Sequence, residues 1–201
     1  YVLVPESLQD QLQKRLIHWI DVCYPADEHG FIADYPRIVN EKHFDRLLGL
    51  LQNQKIIKGG QSSRQTLTIN PTLLTGVLPD DPVMQEEIFG PILPLITCNT
   101  LSQAVEFIRN RPKPLALYLF TKDNSVKKRV FRELSFGGGC VNDTLLHVCL
   151  LYTSDAADDL LCVDLGVRRI IKKKIKKQNI KSHSFPSRLV HYDCSSTVIY
   201  T

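Results

Sequence analysis

Apolar residues recur along this chain with two periods, one typical of amphipathic helices and one typical of buried strands. The helices predicted from the 3.6-residue period are residues 6–22, 41–51, 101–109 and 125–134. Ser7 is the expected N-cap of the first helix, and either Thr100 or Ser102 is the expected N-cap of the third. The sequence therefore predicts four amphipathic helices.

Short apolar and β-branched runs separate these helices and predict strands. The runs are residues 55–60, residues 65–77 as extended pieces interrupted at Pro71, residues 91–98, residues 115–120 and a strand beginning at Cys140. Strands that alternate with helices imply right-handed crossovers and parallel pairing. The pattern predicts an α/β fold, in which helices flank part of a mainly parallel sheet.

Composition narrows the class of protein. The 201 residues suit one domain or slightly more, and 43% of them are hydrophobic, enough for a real core. No uninterrupted apolar run approaches the ~18 residues of a membrane span, and no signal peptide is visible. Six cysteines without paired metal spacing favour reduced thiols over a disulfide framework or a metal site. We expect a soluble cytoplasmic protein, and the lack of an initial Met suggests a fragment.

The segment at residues 84–94, MQEEIFGPILP, combines chemistry-bearing residues with a turn. A carboxylate such as Glu87 offers only acceptor oxygens, which suits a pair of ribose hydroxyls. On an extended strand Phe89 would face the same side and could pack against a flat ring. Gly90 allows close backbone approach, and Pro91 fixes the turn. The alternative is that both acidic residues form a solvated turn and Phe89 belongs to the core.

This segment resembles the cofactor-side signature of the aldehyde dehydrogenases, and its Ile-Leu-Pro continuation is most similar to the class 3 branch, which acts on fatty and aromatic aldehydes. Five other stretches resemble the family in the same order, namely 1–5 (YVLVP), 34–40 (DYPRIVN, followed by His43 and Phe44), 70–75 (NPTLLT), 113–120 (KPLALYLF) and 138–147 (GGCVNDTLLH). The resemblance implies NAD(P)-dependent oxidation of an aldehyde to a carboxylate, in a parent enzyme that forms homodimers. It also implies that Glu87 and Phe89 hold the nicotinamide ribose of NAD or NADP.

The resemblance implies further that no catalytic residue lies in this chain. In the family the thiol nucleophile lies a few residues before the strand that Tyr1 to Pro5 resembles, and the general-base glutamate and the Gly-rich cofactor loop lie further upstream. Cys23, Cys98 and Cys140 occupy positions typical of buried structural thiols, and we do not expect them to replace the nucleophile. The chain alone is therefore expected to lack dehydrogenase activity.

The residues after the last predicted strand allow two interpretations. By resemblance, Leu145, Leu146 and His147 line the aldehyde pocket. Alternatively, Asn142 and Asp143 are only turn formers, and the histidine is exposed.

The resemblance ends near Val148, where the charge also changes. Residues 1–148 contain 16 basic and 16 acidic residues, whereas residues 149–201 contain nine basic and five acidic ones, which accounts for the net charge of +4. Residues 149–158 and 163–171 resemble, in order, two parts of a translated sequencing adapter. We expect a partial catalytic domain in residues 1–148 and a non-native, disordered basic tail in residues 149–201.

Two other functions were weighed against an aldehyde dehydrogenase fragment. One is a catalytically silent fragment that docks onto full-length subunits. The other is a binding module in which the eight basic residues between Arg168 and Lys181 contact nucleic acid or an anionic membrane. No aromatic residue interleaves this run to stack on bases, and one short basic run is a signal of low specificity, so nucleic acid is not an expected partner, and no membrane span is expected.

Overall fold

The computed structural model describes residues 1–33, 35–144 and 198–200, and the chain divides into two compact units, Tyr1–Asn99 and Thr100–Thr201. The elements of the first unit are β1 (Val2–Pro5), α1 (Glu6–Cys23), α2 (Glu41–Leu51), β2 (Lys55–Lys58), β3 (Ser62–Ser63), β4 (Thr68–Ile69), β5 (Thr72–Thr75), a 3-10 helix (Pro82–Met84) and β6 (Ile92–Cys98). Those of the second are α3 (Leu101–Arg109), β7 (Ala116–Phe120), α4 (Asn124–Glu133), β8 (Gly138–Val141) and β9 (Val198–Tyr200). The predicted α/β fold is confirmed.

Parallel pairing dominates the sheet of the first unit, where the strands lie in the order β2-β5-β6-β1. The strand β6 pairs in parallel with β1 and with β5, while β2 runs antiparallel to β5 at the edge. Leu3, Leu74 and Leu95 of the paired strands are buried. The sheet therefore has the expected mainly parallel character, and its antiparallel edge strand is of a kind common in such sheets.

The helix α1 begins two residues earlier than a cap at Ser7 would allow. It starts at Glu6, directly after β1, with Pro5 as the N-cap residue and no side-chain hydrogen bond at the cap. Ser7 therefore lies within the first turn, and its predicted role as the cap is wrong. A strand that runs straight into a helix leaves no loop residue for a polar cap, and Pro5 has the fixed φ that this junction uses.

The helix α2 has a conventional beginning and a strongly buried face. Asn40 accepts a hydrogen bond through Oδ1 from the backbone N–H of His43 at 2.9 Å, which satisfies one of the free donors of the first turn. Phe44, Leu47 and Leu50 are buried, whereas His43 is exposed. Burial of this apolar face holds α2 in the first unit and leaves its polar side chains to contact neighbouring loops.

In the second unit β7 pairs in parallel with β8 and antiparallel with β9. The helix α3 has a complete capping box, in which Thr100 and Gln103 each accept from the other's backbone N–H, so Thr100 rather than Ser102 is the cap. Asp123 caps α4. Ile199 of β9 is buried.

The strand β9 lies within the segment 149–201 that is expected to be disordered. Val198–Tyr200 belong to that segment, yet they pair with Tyr118 to Phe120 of β7. For these three residues the structure departs from the expectation, because a short β-branched run can satisfy the hydrogen bonds of a free strand edge whatever its origin. The expected boundary at residue 148 and the rest of the tail lie outside the described residues.

Candidate functional site

The segment 85–91 connects the 3-10 helix to β6 and is irregular. Phe89 has φ of +48°, in the left-handed region that few non-glycine residues adopt. The expectation that Glu87 and Phe89 share one face of an extended strand is therefore wrong. Contacts from α2 hold the segment in a different conformation, and these contacts could not be read from its own sequence.

The side chain of Arg46, on α2, donates hydrogen bonds to this segment. Its Nη1 donates to Oε1 of Glu86 at 2.6 Å and to the backbone carbonyl of Glu87 at 3.4 Å. Its Nη2 donates to the carbonyl of Ile88 at 2.6 Å. Sequence reasoning missed Arg46, because 40 residues separate it from Glu86 and an arginine on a helix usually faces solvent. A single guanidinium therefore fixes one carboxylate and two consecutive carbonyls.

The residue next to Arg46 supports the other end of the segment. Leu47 is fully buried, and a Cβ built on Gly90 would lie 2.6 Å from both of its methyl carbons. The absence of a side chain at Gly90 thus lets this part of the segment lie directly against Leu47. The carbonyl of Pro91 accepts from the backbone N–H of Thr72 at 2.7 Å, which leads the chain into β6 beside β5.

Two residues of the segment that α2 holds, Glu87 and Phe89, are exposed. The side chain of Phe89 is 76% exposed, so the alternative that placed it in the core is wrong. Glu87 is also exposed, and within the described part of the chain its carboxylate has no hydrogen-bond or ion-pair partner. The exposed Glu87 carboxylate offers two acceptor oxygens for vicinal hydroxyls, and the exposed ring of Phe89, two residues further along the same segment, can pack against a flat ring.

The three described cysteines lie in different settings. Cys23 is exposed, which contradicts the expectation of a buried residue, since the last turn of α1 has no covering element in the described chain. Cys98 is half-buried, and burial raises the pKa of its thiol. Cys140 is half-buried, and its Sγ lies 2.8 Å from the carbonyl of Asp143. A raised pKa leaves less thiolate, so Cys98 is poorly suited to act as a nucleophile.

Asn142 ends β8 as a turn residue with a defined structural task. It has φ of +58°, its Oδ1 accepts from the backbone N–H of Thr121 at 2.8 Å, and its Nδ2 donates to the Thr121 carbonyl at 3.0 Å. The side chain thus imitates one more pair of ladder hydrogen bonds beyond the end of β7. Asp143 accepts through Oδ1 from the backbone N–H of Thr144 at 2.7 Å. The predicted substrate-facing residues Leu145, Leu146 and His147 lie outside the described residues.

The described ranges contain neither a cluster of metal-ligating side chains nor a helix that could span a membrane. No group of three His, Cys, Asp or Glu side chains there could hold a metal ion. Among the helices of residues 1–33 and 35–144, none is long and apolar enough to cross a membrane.

Comparison with known proteins assigns the family. Residues 1–149 match the aldehyde dehydrogenase family. The 4,4'-diaponeurosporen-aldehyde dehydrogenase of Staphylococcus aureus is 48% identical over 150 residues, which cover 74% of this chain and 32% of that protein. The dimeric NADP-preferring aldehyde dehydrogenase of Bos taurus is 43% identical over 148 residues, covering 74% of this chain and 62% of the relative.

A solved structure agrees with the sequence comparison. The substrate-bound state of Staphylococcus aureus AldH superposes with a TM-score of 0.69 at 48% identity, covering 73% of this chain and 32% of that one. The chain thus spans about a third of the length of the Staphylococcus aureus protein and less than two thirds of the Bos taurus one. The resemblance found in the motifs is confirmed, and the chain belongs to the aldehyde dehydrogenase family.

Proposed function

We propose that this chain forms the nicotinamide-side part of a class 3-like enzyme that oxidises aldehydes to carboxylates with NAD or NADP, and that Glu87 and Phe89 contact the nicotinamide ribose. The observation that carries the proposal is a pair of exposed residues: Glu87, whose carboxylate has no partner in the described chain, and Phe89, which is 76% exposed. Both lie on a segment that α2 holds in place.

The donor and acceptor chemistry of the pair fits a ribose. Each oxygen of the Glu87 carboxylate can accept a hydrogen bond from one hydroxyl group, so one side chain can bind two adjacent hydroxyls. The ring of Phe89 offers an apolar face of the size of a heterocycle. Since Arg46 is already engaged with Glu86, it does not compete for the Glu87 carboxylate. The nicotinamide ring supplies, when bound, the hydride acceptor that aldehyde oxidation requires.

The remaining parts of the proposal concern the whole enzyme. Leu145, Leu146 and His147 are the proposed lining of the aldehyde pocket, and the enzyme is proposed to be a cytoplasmic homodimer. The name of the Bos taurus relative, which describes it as dimeric and NADP-preferring, supports the oligomeric state and the cofactor class. Three free thiols in the described chain are consistent with a reducing compartment.

A chimera tests the proposal. Residues 1–148 of this chain replace the matching segment of the Staphylococcus aureus relative, and the reduction of NAD+ and of NADP+ is followed with a series of aliphatic and aromatic aldehydes. The chimera is expected to oxidise aldehydes. Glu87→Gln is expected to cost ~1–3 kcal/mol of transition-state stabilisation, because an amide offers one acceptor oxygen where two hydroxyls need one each.

The matched control is Glu106→Gln, which makes the same chemical change on the exposed face of α3 and should leave kcat and the cofactor KM unchanged. Unchanged kinetic constants after Glu87→Gln would show that this carboxylate has no part in cofactor binding. A folded chimera without aldehyde oxidation would contradict the proposed activity.

A further inference from the structure

We propose that Arg46 is a positioning residue, which sets the conformation of residues 86–89 so that Glu87 and Phe89 face outward. This inference rests on the proposed function for its benefit to cofactor binding, but its structural content stands on the contacts of Arg46 alone. The guanidinium reaches Glu86, the Glu87 carbonyl and the Ile88 carbonyl at 2.6, 3.4 and 2.6 Å.

The contact with the Ile88 carbonyl is the informative one. That carbonyl belongs to the peptide plane immediately before Phe89, so holding it restricts the φ that Phe89 can adopt. Phe89 has φ of +48°, which is unfavourable for a residue with a Cβ and persists only where the surroundings impose it. Among the described side chains, Arg46 is the one that donates hydrogen bonds to this stretch of backbone.

Glu86 has a complementary task in this arrangement. Two adjacent carboxylates would compete for one nearby cation, but the Nη1 of Arg46 lies 2.6 Å from Oε1 of Glu86. Arg46 therefore pairs with Glu86, and the Glu87 carboxylate stays available for a neutral polyhydroxyl ligand. The pair of consecutive acidic residues is thus divided into a structural carboxylate and a ligand-binding one.

Geometry explains why arginine suits this position. The planar guanidinium has several N–H donors in a fixed fork, so it can serve a carboxylate and two carbonyls at once. A lysine would carry the same charge on a single ammonium and would lose the fork. Arg46→Lys therefore separates an effect of charge on an anionic ligand from an effect of positioning.

The experiment uses the full 201-residue chain labelled with ¹⁵N. Amide order parameters are measured at Ile88 and Phe89, and the affinity for nicotinamide mononucleotide is measured from the shifts of the same amides. In the unsubstituted chain both amides are expected to be rigid, with order parameters of about 0.85. In Arg46→Gln they are expected to fall below about 0.6, as in flexible segments. The dissociation constant for the mononucleotide should rise about tenfold, because binding would then have to order a segment that Arg46 no longer holds.

The matched control is Arg64→Gln. Arg64 forms its ion pairs with Asp45 and Glu41 of the same helix α2, so this substitution removes another arginine bound to α2, one whose ion pairs do not involve residues 86–90. This variant should retain both the order parameters and the affinity. Glu86→Gln keeps the two carbonyl contacts and should have a smaller effect than Arg46→Gln.

Each outcome decides the inference. Rigid amides in Arg46→Gln would overturn it, and so would Arg46→Lys with the affinity and order of the unsubstituted chain, since charge alone would then suffice. If Arg46→Gln does not fold, the lysine variant supplies the decision. If the mononucleotide does not bind the unsubstituted chain, or if Glu87→Gln leaves its affinity unchanged, the proposed function fails, while the order parameters still decide the positioning role.

Discussion

Gly90→Ala tests how tightly α2 supports the candidate site. The added methyl group would lie 2.6 Å from both methyl carbons of Leu47, whereas ordinary contacts of a Cβ begin at 3.4 Å. Leu47 is fully buried, so its side chain cannot simply turn into solvent. Either the leucine or the segment 86–90 must move by about 1 Å, and overpacking of this kind costs ~1–3 kcal/mol.

Two favourable terms oppose this cost. A buried methyl group contributes ~0.8 kcal/mol, and the loss of glycine's freedom in the unfolded chain contributes ~0.4–1 kcal/mol. The control Gly49→Ala isolates the contribution of glycine's conformational freedom, because Gly49 lies in α2 and a Cβ built on it has no atom within 4 Å, so the new methyl group neither clashes nor gains a contact. We expect Gly49→Ala to stabilise the chain by ~0.5–1 kcal/mol and Gly90→Ala to destabilise it by ~1 kcal/mol.

Urea denaturation followed by circular dichroism measures both changes, provided that the m-value stays constant. A double substitution with Leu47→Ala should be less destabilising than the sum of the single ones, since the shorter side chain makes room for the new methyl group. If Gly90→Ala stabilised the chain as much as Gly49→Ala, the close packing of this segment on α2 would be refuted.

Two further predictions concern the second unit and the thiols. Asn142→Asp should lower the free energy of unfolding by ~1–3 kcal/mol at pH 7, because a carboxylate cannot donate a hydrogen bond to the Thr121 carbonyl. The loss should shrink as the pH falls toward ~3.9, where the carboxyl group becomes protonated and can donate. An unfolding free energy that matches the unsubstituted chain at all pH values would contradict the assigned contact. The raised pKa of the Cys98 thiol should shift its alkylation toward higher pH and make it slower than that of the exposed Cys23, as peptide-resolved mass spectrometry can measure; equal rates would show that Cys98 is not shielded.

Local patterns were sufficient for most elements. Helical periodicity predicts α2 and α3 closely, and the cap of α3 is Thr100, one of the two residues that the sequence offered for it. The same reasoning fails at Ser7, because β1 runs into α1 without the loop that a polar cap requires. It also fails at Cys23, whose apolar neighbours in sequence do not determine whether another element covers the end of the helix.

What the sequence by itself determined is the fold class, the family and the identity of Glu87 and Phe89 as the residues to examine, since all of these depend on local period and on motif. Only the tertiary structure decided how those two residues are presented. Their exposure depends on Arg46 and Leu47, which approach the segment from a helix some 40 residues earlier in the chain. Hydrogen bonds to backbone carbonyls and close packing on a glycine cannot be predicted from the residue types of the loop itself. Every residue offers the same backbone carbonyl, whatever its side chain. Such contacts are therefore determined only when the tertiary structure brings α2 against the loop.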